Sequence, residues 1–456
     1  MRENCCRRPK KVLLFSWVFP FLLCRLILPA GMPFYLAVAG FCLLTYLTRR
    51  ITPDPFVRKI IFTSYWIKIA LIFLFFFVSS FQIPILKEQQ LGEGLWRFAW
   101  DAKIYHTYGM ALVNALRTGS RFPLMGSEWP MNVYTAVLYF IFGIHAPNAI
   151  VPNALLMSLG TLLLSSFLRQ RRVPSWTERA AILLFSFWPS LTLWSTQLLK
   201  DTLSAVLILA SFSLILSIYD PPSSRPPGRL RWSLTASAVF LLTLFRNYVG
   251  ISLALACWIA LFIPKLFKPH QAVLPMLLAL TVTASVGLGI LGTTPGYFRP
   301  LRSGTPAEIA TNTAEYIGNV RNGIVRQKGS STIDPTIVLK TPGDILRYVP
   351  QAWTTVFVRP FPWENAAVFS DFSGSVFVTL EMVLIYGLLL KALFLIFKLS
   401  WKLNSRDGLF LVFIFLLAAA LGVAVPNLGT LFRLRLQVLI PLLAWVGTRS
   451  VSLISA

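Results

Sequence analysis

Charge is scarce in this chain: Asp, Glu, Lys and Arg make up 13% of its 456 residues, against 56% hydrophobic. Soluble domains carry about 25% charged residues, so a water-soluble globular fold is excluded, as is a disordered chain. Acids are the scarcer sign, with 17 Asp+Glu against 42 Lys+Arg and a net charge of +25. The basic residues stand in small groups between apolar runs, which is a membrane pattern. No RNA- or DNA-binding motif accompanies them, so nucleic acid is not an expected partner. The 3 histidines are scattered and have no metal-ligand spacing. There are 5 cysteines. Cys24, Cys42 and Cys257 lie inside apolar runs, and Cys5 and Cys6 sit in the basic amino-terminal tail. None falls in a long polar loop, which excludes a disulfide framework. There is no P-loop or Gly-rich dinucleotide fingerprint, no internal repeat of short period and no visible pair of inverted halves. The first apolar run lacks a small-residue cleavage site and reads as a retained helix.

Long apolar runs are abundant. A membrane-crossing helix needs about 20 mostly apolar residues. The sequence predicts twelve spans, at 12–29, 33–48, 60–82, 148–168, 180–198, 202–219, 232–246, 248–264, 272–292, 376–397, 408–426 and 436–450. The segment 132–145 is apolar but short, and reads as an interfacial or re-entrant helix. The expected fold is therefore an all-α integral membrane protein with two long loops on one face. It divides into an amino-terminal hairpin (1–59), a transmembrane core (60–292) with its first outer loop at 83–131, a second outer loop (293–375) and carboxyl-terminal helices (376–456). Lys and Arg concentrate in the connections of one side, and the positive-inside rule then places both termini in the cytosol. The short outer connections hold only Lys200, Arg246, Arg433 and Arg435 as basic residues.

Candidate chemistry lies on the outer face. In the first loop, Trp100-Asp101-Ala102 opens a helical pattern that runs to Thr118 and stops at Gly119. Ile104, Tyr105, Tyr108, Leu112 and Leu116 share one side with Asp101, and Tyr105 and His106 are candidate substrate contacts. Asp101 either caps this helix or acts as a base. Glu128, before Trp129-Pro130, is a second acid at this level. An adjacent Lys200-Asp201 pair ends a hairpin, where charges usually face a partner or a watery cavity; snorkelling to the headgroups is the plainer reading. Lys200, Arg246, Arg433 and Arg435 imply a compensating anion, and guanidinium groups bind phosphate in bidentate fashion. That phosphate belongs either to a lipid-linked substrate or to a phospholipid headgroup. The second loop holds Thr341-Pro342-Gly343-Asp344 and then Arg359, Trp363 and Glu364, which reads as a rigid turn at the interface. Arg359 and Glu364 bind substrate or pair with each other. No motif demands a cofactor, while the carboxylates leave a divalent cation open.

These features together resemble the GT-C class of integral-membrane glycosyltransferases. They are similar, more narrowly, to the bacterial branch around the protein mannosyltransferase and aminoarabinose transferase families. The matching residues are Trp100-Asp101-Ala102 with Tyr105, the Pro189 to Lys200-Asp201 stretch, Leu244-Phe245-Arg246, and Arg433-Leu434-Arg435 leading to Pro441. The resemblance spans most of residues 60–450. It implies a polyprenyl-phosphate-linked sugar as donor, a glycan, lipid or protein acceptor, a bacterial inner-membrane location, and Asp101 as general base. The first loop lacks the Asp-Glu pair common in the mannosyltransferases, so Asp201, Glu128 and Glu364 stand as further acids. Two other readings remain at this stage. One is an O-antigen-type polymerase or ligase, in which the outer arginines dominate. The other is a transporter or flippase of lipid-linked sugars, which calls for mid-span charges such as Arg25, Lys68 and Lys391.

Overall fold

The computed structural model describes residues 31–121, 128–219, 228–262, 273–293, 305–326, 331–361, 364, 372–399 and 405–450. The expected span 12–29 and the candidate Trp363 lie outside the described residues. Along the chain, α1 (Met32–Ile51) and α2 (Pro55–Ser80) precede the first long connection. It carries two very short antiparallel strands, β1 (Gln90–Gly92) and β2 (Leu95–Trp96), then α3 (Trp100–Thr118). α4 (Trp129–Phe142) leads into α5 (Ala146–Gln170), and α6 (Ser175–Phe187) and α7 (Pro189–Ser195) into α8 (Lys200–Tyr219). Next come α9 (Arg229–Phe245), α10 (Asn247–Phe262) and α11 (Val273–Thr293). The second long connection holds α12 (Pro306–Arg326) and α13 (Pro342–Phe357). α14 (Phe372–Leu399), α15 (Ser405–Ala424), α16 (Leu428–Leu434) and α17 (Leu436–Arg449) follow.

Among the described residues, eight stretches are long and apolar enough to cross a membrane: α1, α2, α5, α8, α11, α14, α15 and the continuous α16–α17 run. The chain is a helical, multi-pass membrane protein, with β1–β2 as the small departure from an all-α fold. Three expected spans differ. The run 180–198 is not one helix. Pro189 supplies no N–H and pushes Trp188 out of the helical region (φ −57°, ψ 124°), so the chain breaks into α6 and α7. The Ser186 carbonyl left at the break accepts from Lys68 Nζ at 2.9 Å and Ser64 Oγ at 3.0 Å. Lys68 therefore works as a cap for a broken helix. The runs 232–246 and 248–264 form α9 and α10, of 17 and 16 residues, short of a full crossing and joined through the single residue Arg246. The short segment 132–145 forms α4, of 14 residues.

α17 is the central element. Every residue from Leu436 to Gly447 is buried, against α5, α6, α8, α14 and α15. A helix apolar on all sides belongs inside a bundle, and this one sets where its head, α16, must sit. The second long connection is fastened at the same end. Arg321 of α12 is fully buried, donates to the Val423 carbonyl at 3.0 Å and to the Asp334 carbonyl at 3.2 Å, and lies over the Tyr348 ring. Ile333 N bonds Pro426 O and Leu428 N bonds Ser331 O, each at 2.9 Å. The stretch read as a rigid turn is a helix start: Thr341 and Asp344 form a capping box over Pro342 and open α13.

α13 lies directly on α15 at Gly422, where an added Cβ would stand 2.4 Å from the Ala352 carbonyl oxygen. Gly422→Ala is expected to force the two backbones apart and to cost about 1–3 kcal/mol. Thermal unfolding of the detergent-solubilised chain checks it, with Gly343→Ala, at an open helix start, as the near-neutral control.

Candidate functional site

α3 begins at Trp100 and ends where Gly119 adopts the left-handed conformation (φ +67°) that glycine accepts at a helix end. Its buried side is Ala102, Tyr105, His106, Gly109, Leu112 and Val113. Of the residues expected on one side with Asp101, Tyr105 and Leu112 are buried, while Tyr108 and Leu116 are exposed. Asp101 makes no helix cap. Its Oδ2 instead accepts from Arg433 Nη2 at 2.7 Å, across 332 residues of sequence. Arg433 lies in α16, whose first turn Asn427 caps through the Thr430 N–H.

Arg433 reaches a second carboxylate, with Nε 3.5 Å from Asp201 Oδ2. The other Asp201 oxygen accepts from Arg246 Nη2 at 2.8 Å. Neighbouring Lys200 points elsewhere, its Nζ 2.8 Å and 2.5 Å from the two Glu128 oxygens. Tyr105, one turn after Asp101 and on the same face, donates to Glu128 Oε2 at 2.9 Å. One cluster thus gathers three carboxylates and three basic side chains from α3, the start of α4, the start of α8, the α9–α10 junction and α16. Lys200 and Asp201 are held by the buried segment before them, where Asn153 of α5 donates to the Gln197 carbonyl at 2.8 Å.

The cluster has a closed side and an open side. The Asp201 and Arg246 side chains are 5% and 7% exposed, whereas Asp101 and Glu128 are 37% and 41% exposed. Burial pushes the Asp101 carboxyl upward, but the Arg433 guanidinium, with Lys200 and Arg246 beyond it, outweighs burial and holds it below its ordinary value. For Glu128 burial again acts upward, and Lys200, Tyr105 and Arg246 bring it below. Both are carboxylates at neutral pH. The anion expected opposite the outer cations is therefore, in the first instance, the protein's own.

Other expected members stand apart. Residues i and i+2 on a helix do not face the same way, and Arg435 points away from Arg433. It donates to the Arg359 carbonyl at 2.9 Å and stacks over Phe432. Arg359 and Glu364 pair with each other at 2.6 Å, and Asp334 lies 3.6 Å from Arg359. His106 turns to Tyr139 at 2.6 Å and to Glu93 at 2.9 Å. Burial lowers its proton affinity and outweighs Glu93. Sequence reasoning missed Glu381, fully buried in α14, whose carboxylate accepts from Ser190 N at 2.9 Å and Ser190 Oγ at 2.7 Å. The available signal was a lone acid inside the run 376–397. Among the described residues no group of three His, Cys, Asp or Glu side chains is placed to hold a metal ion. Comparison with known protein families, curated proteins and solved structures gives no match.

Because Asp101 and Glu128 titrate below their ordinary values of 3.8 and 4.5, their pairs stabilise the fold above those values. That contribution is lost as pH falls through the lower folded values. With both side chains partly open to water, about 1 kcal/mol or less is expected per pair. Unfolding measured across this acid range checks it, and Asp101→Asn is expected to reduce the dependence. Glu128→Gln removes the carboxylate opposite Lys200 and is expected to cost about 1 kcal/mol, with Lys200→Met in the same chain recovering much of the loss.

Proposed function

We propose that the chain is a multi-pass membrane glycosyltransferase of GT-C-like architecture that moves a sugar from a polyprenyl-phosphate donor to an acceptor. It resides in a bacterial inner membrane with the charged cluster on the outer face. The observation that carries this reading is Arg433 held between Asp101 and Asp201, beside Arg246 and Lys200, at one end of an apolar bundle. Such a cluster is costly to assemble in a low-dielectric surround, and ionisable groups kept there mark sites of chemistry or passage. Lys68, one of the mid-span charges a transporter would call for, is used as a helix cap, so transfer is favoured over transport.

The chemistry follows from the two sides of the cluster. An acceptor hydroxyl attacks the anomeric carbon while its proton passes to the open carboxylate of Asp101. The bond from that carbon to the phosphate oxygen breaks, and its electron pair stays on the phosphate, which gains a negative charge. Arg433, Arg246 and Lys200 are fixed in advance to stabilise that charge. One displacement inverts the anomeric centre. In the resting state Asp101 is a weak base, because Arg433 stabilises its anion. A donor phosphate that takes Arg433 releases Asp101 and strengthens it as a base, so donor binding and base activation are one event.

Two substitutions test this. Asp101→Asn is expected to lower sugar transfer by at least about 100-fold while binding polyprenyl phosphate at least as tightly as the parent chain, since Arg433 is freed. Arg433→Gln is expected to weaken that binding about tenfold or more. Both are read by transfer of radiolabelled sugar and by lipid titration on the purified chain. Full transfer by Asp101→Asn removes the base, and unchanged lipid affinity in Arg433→Gln removes the phosphate clamp.

A further inference from the structure

The inner wall of the charged cluster carries two neutral polar side chains that the ion pairs leave unused. The helical path runs on through Arg435 (φ −62°, ψ −17°) into α17, so Gln437, four residues after Arg433, shares its face. On the other flank Tyr248 follows Arg246 by two residues, at the start of α10. The α9–α10 hairpin holds it firmly: a Cβ added to Gly250 would stand 2.1 Å from Thr243 Oγ1, and the Tyr248 N–H is tied to Asn247 Oδ1 at 2.8 Å. Tyr248 thereby lies beside the Gln437 amide, the Arg246 and Arg433 guanidinium groups and Asp201. Gln437 is 2% exposed. Its amide nitrogen, its amide oxygen and the Tyr248 hydroxyl are all buried and make no hydrogen bond. A rotation that joined the hydroxyl to one amide atom would still leave the other unpaired. Buried polar groups are as a rule partnered, and these reach one place from two separate helices.

We propose that Tyr248 and Gln437 bind a hydroxyl group of the donor's sugar and so set which sugar is transferred. The inference rests on the polyprenyl-phosphate reading above and deepens it. An amide and a phenol each offer both a donor and an acceptor. A phosphate offers acceptors alone and would leave the amide oxygen unpaired, while a cation would leave the N–H groups unpaired. A sugar hydroxyl both donates and accepts, and answers both. Position agrees with chemistry. Side chains four residues apart on a helix have Cβ atoms about 5–6 Å apart, so with Arg433 on the phosphate, Gln437 reaches the first hydroxyls beyond the anomeric carbon. A site that hydrogen-bonds a hydroxyl rejects a ligand lacking it, because its own buried groups are then left unpaired. Tyr248 and Gln437 are therefore specificity-determining residues, and the phosphate clamp is left to the arginines.

The test uses the purified full-length chain in dodecyl maltoside, titrated with lipid and read by native mass spectrometry. The probes are bare undecaprenyl phosphate and the same lipid carrying mannose, glucose or N-acetylglucosamine. The parent chain is expected to hold one or more of the sugar-linked lipids about tenfold more tightly than the bare one. Tyr248→Phe and Gln437→Leu are each expected to lose most of that preference and to keep the parent's affinity for the bare lipid. Arg433→Gln is expected to weaken both kinds of lipid alike. If Gln437→Leu does not fold, Tyr248→Phe, which removes a single hydroxyl, carries the comparison alone. A parent chain that binds the bare lipid without preferring any sugar overturns this inference and leaves the phosphate clamp standing. So does a preference kept in full by the variants, or a loss in them that is equal for bare and sugar-linked lipid. A parent chain that does not bind bare undecaprenyl phosphate overturns the donor reading itself, and this inference with it.

Discussion

A guanidinium group shared by two carboxylates governs the architecture. Arg433 meets Asp101 at 2.7 Å and Asp201 at 3.5 Å, and Asp201 passes the link on to Arg246 at 2.8 Å. Stranding any one of these charges in a poorly solvated place costs several kcal/mol. The segments that carry them must therefore arrive together, although Asp101 and Arg433 are 332 residues apart. Three acids against three bases leave the cluster neutral, which is the condition under which it can sit at the head of an apolar bundle.

The rest of the fold supplies the positions. α17 is buried on every side and fixes the place of α16 above it. The break at Pro189, satisfied by Lys68 and Ser64, turns the chain so that α8 starts with Lys200 and Asp201 inside. The one-residue junction at Arg246 points a guanidinium group at Asp201 from the other flank. Arg321 and the bond from Ile333 to Pro426 pin the second long connection next to α16. Rigid helices, with little loop, hold the charged atoms in register, as a site that must preorganise charge requires.

Much of this was legible in the sequence, and the failures are physical. Hydrophobic runs marked the spans because length and apolarity alone decide a crossing. The run 180–198 misled because its composition is apolar throughout, while Pro189 acts on the backbone. Asp101, Glu128, Lys200, Asp201, Arg246 and Arg433 were legible as charges out of place for their level. Their mutual pairing was not, since it depends on which faces meet in three dimensions. Arg433 and Arg435 looked equivalent in sequence, yet two residues of helix turn them apart. Glu381 escaped because one acid in a long apolar run is easily read as an exception, whereas Ser190 N–H and hydroxyl groups make it a structural partner.

In the proposed reaction the same pairing is what a phosphate must undo, so the strength of the Asp101–Arg433 interaction is the quantity on which the account turns. It is measured by a double-mutant cycle of Asp101→Asn and Arg433→Gln, read as unfolding free energy in detergent. The account predicts a coupling of about 1 kcal/mol, with the double variant less destabilised than the sum of the singles. Single effects that add to within about 0.5 kcal/mol would show that the two side chains do not meet, and would contradict it.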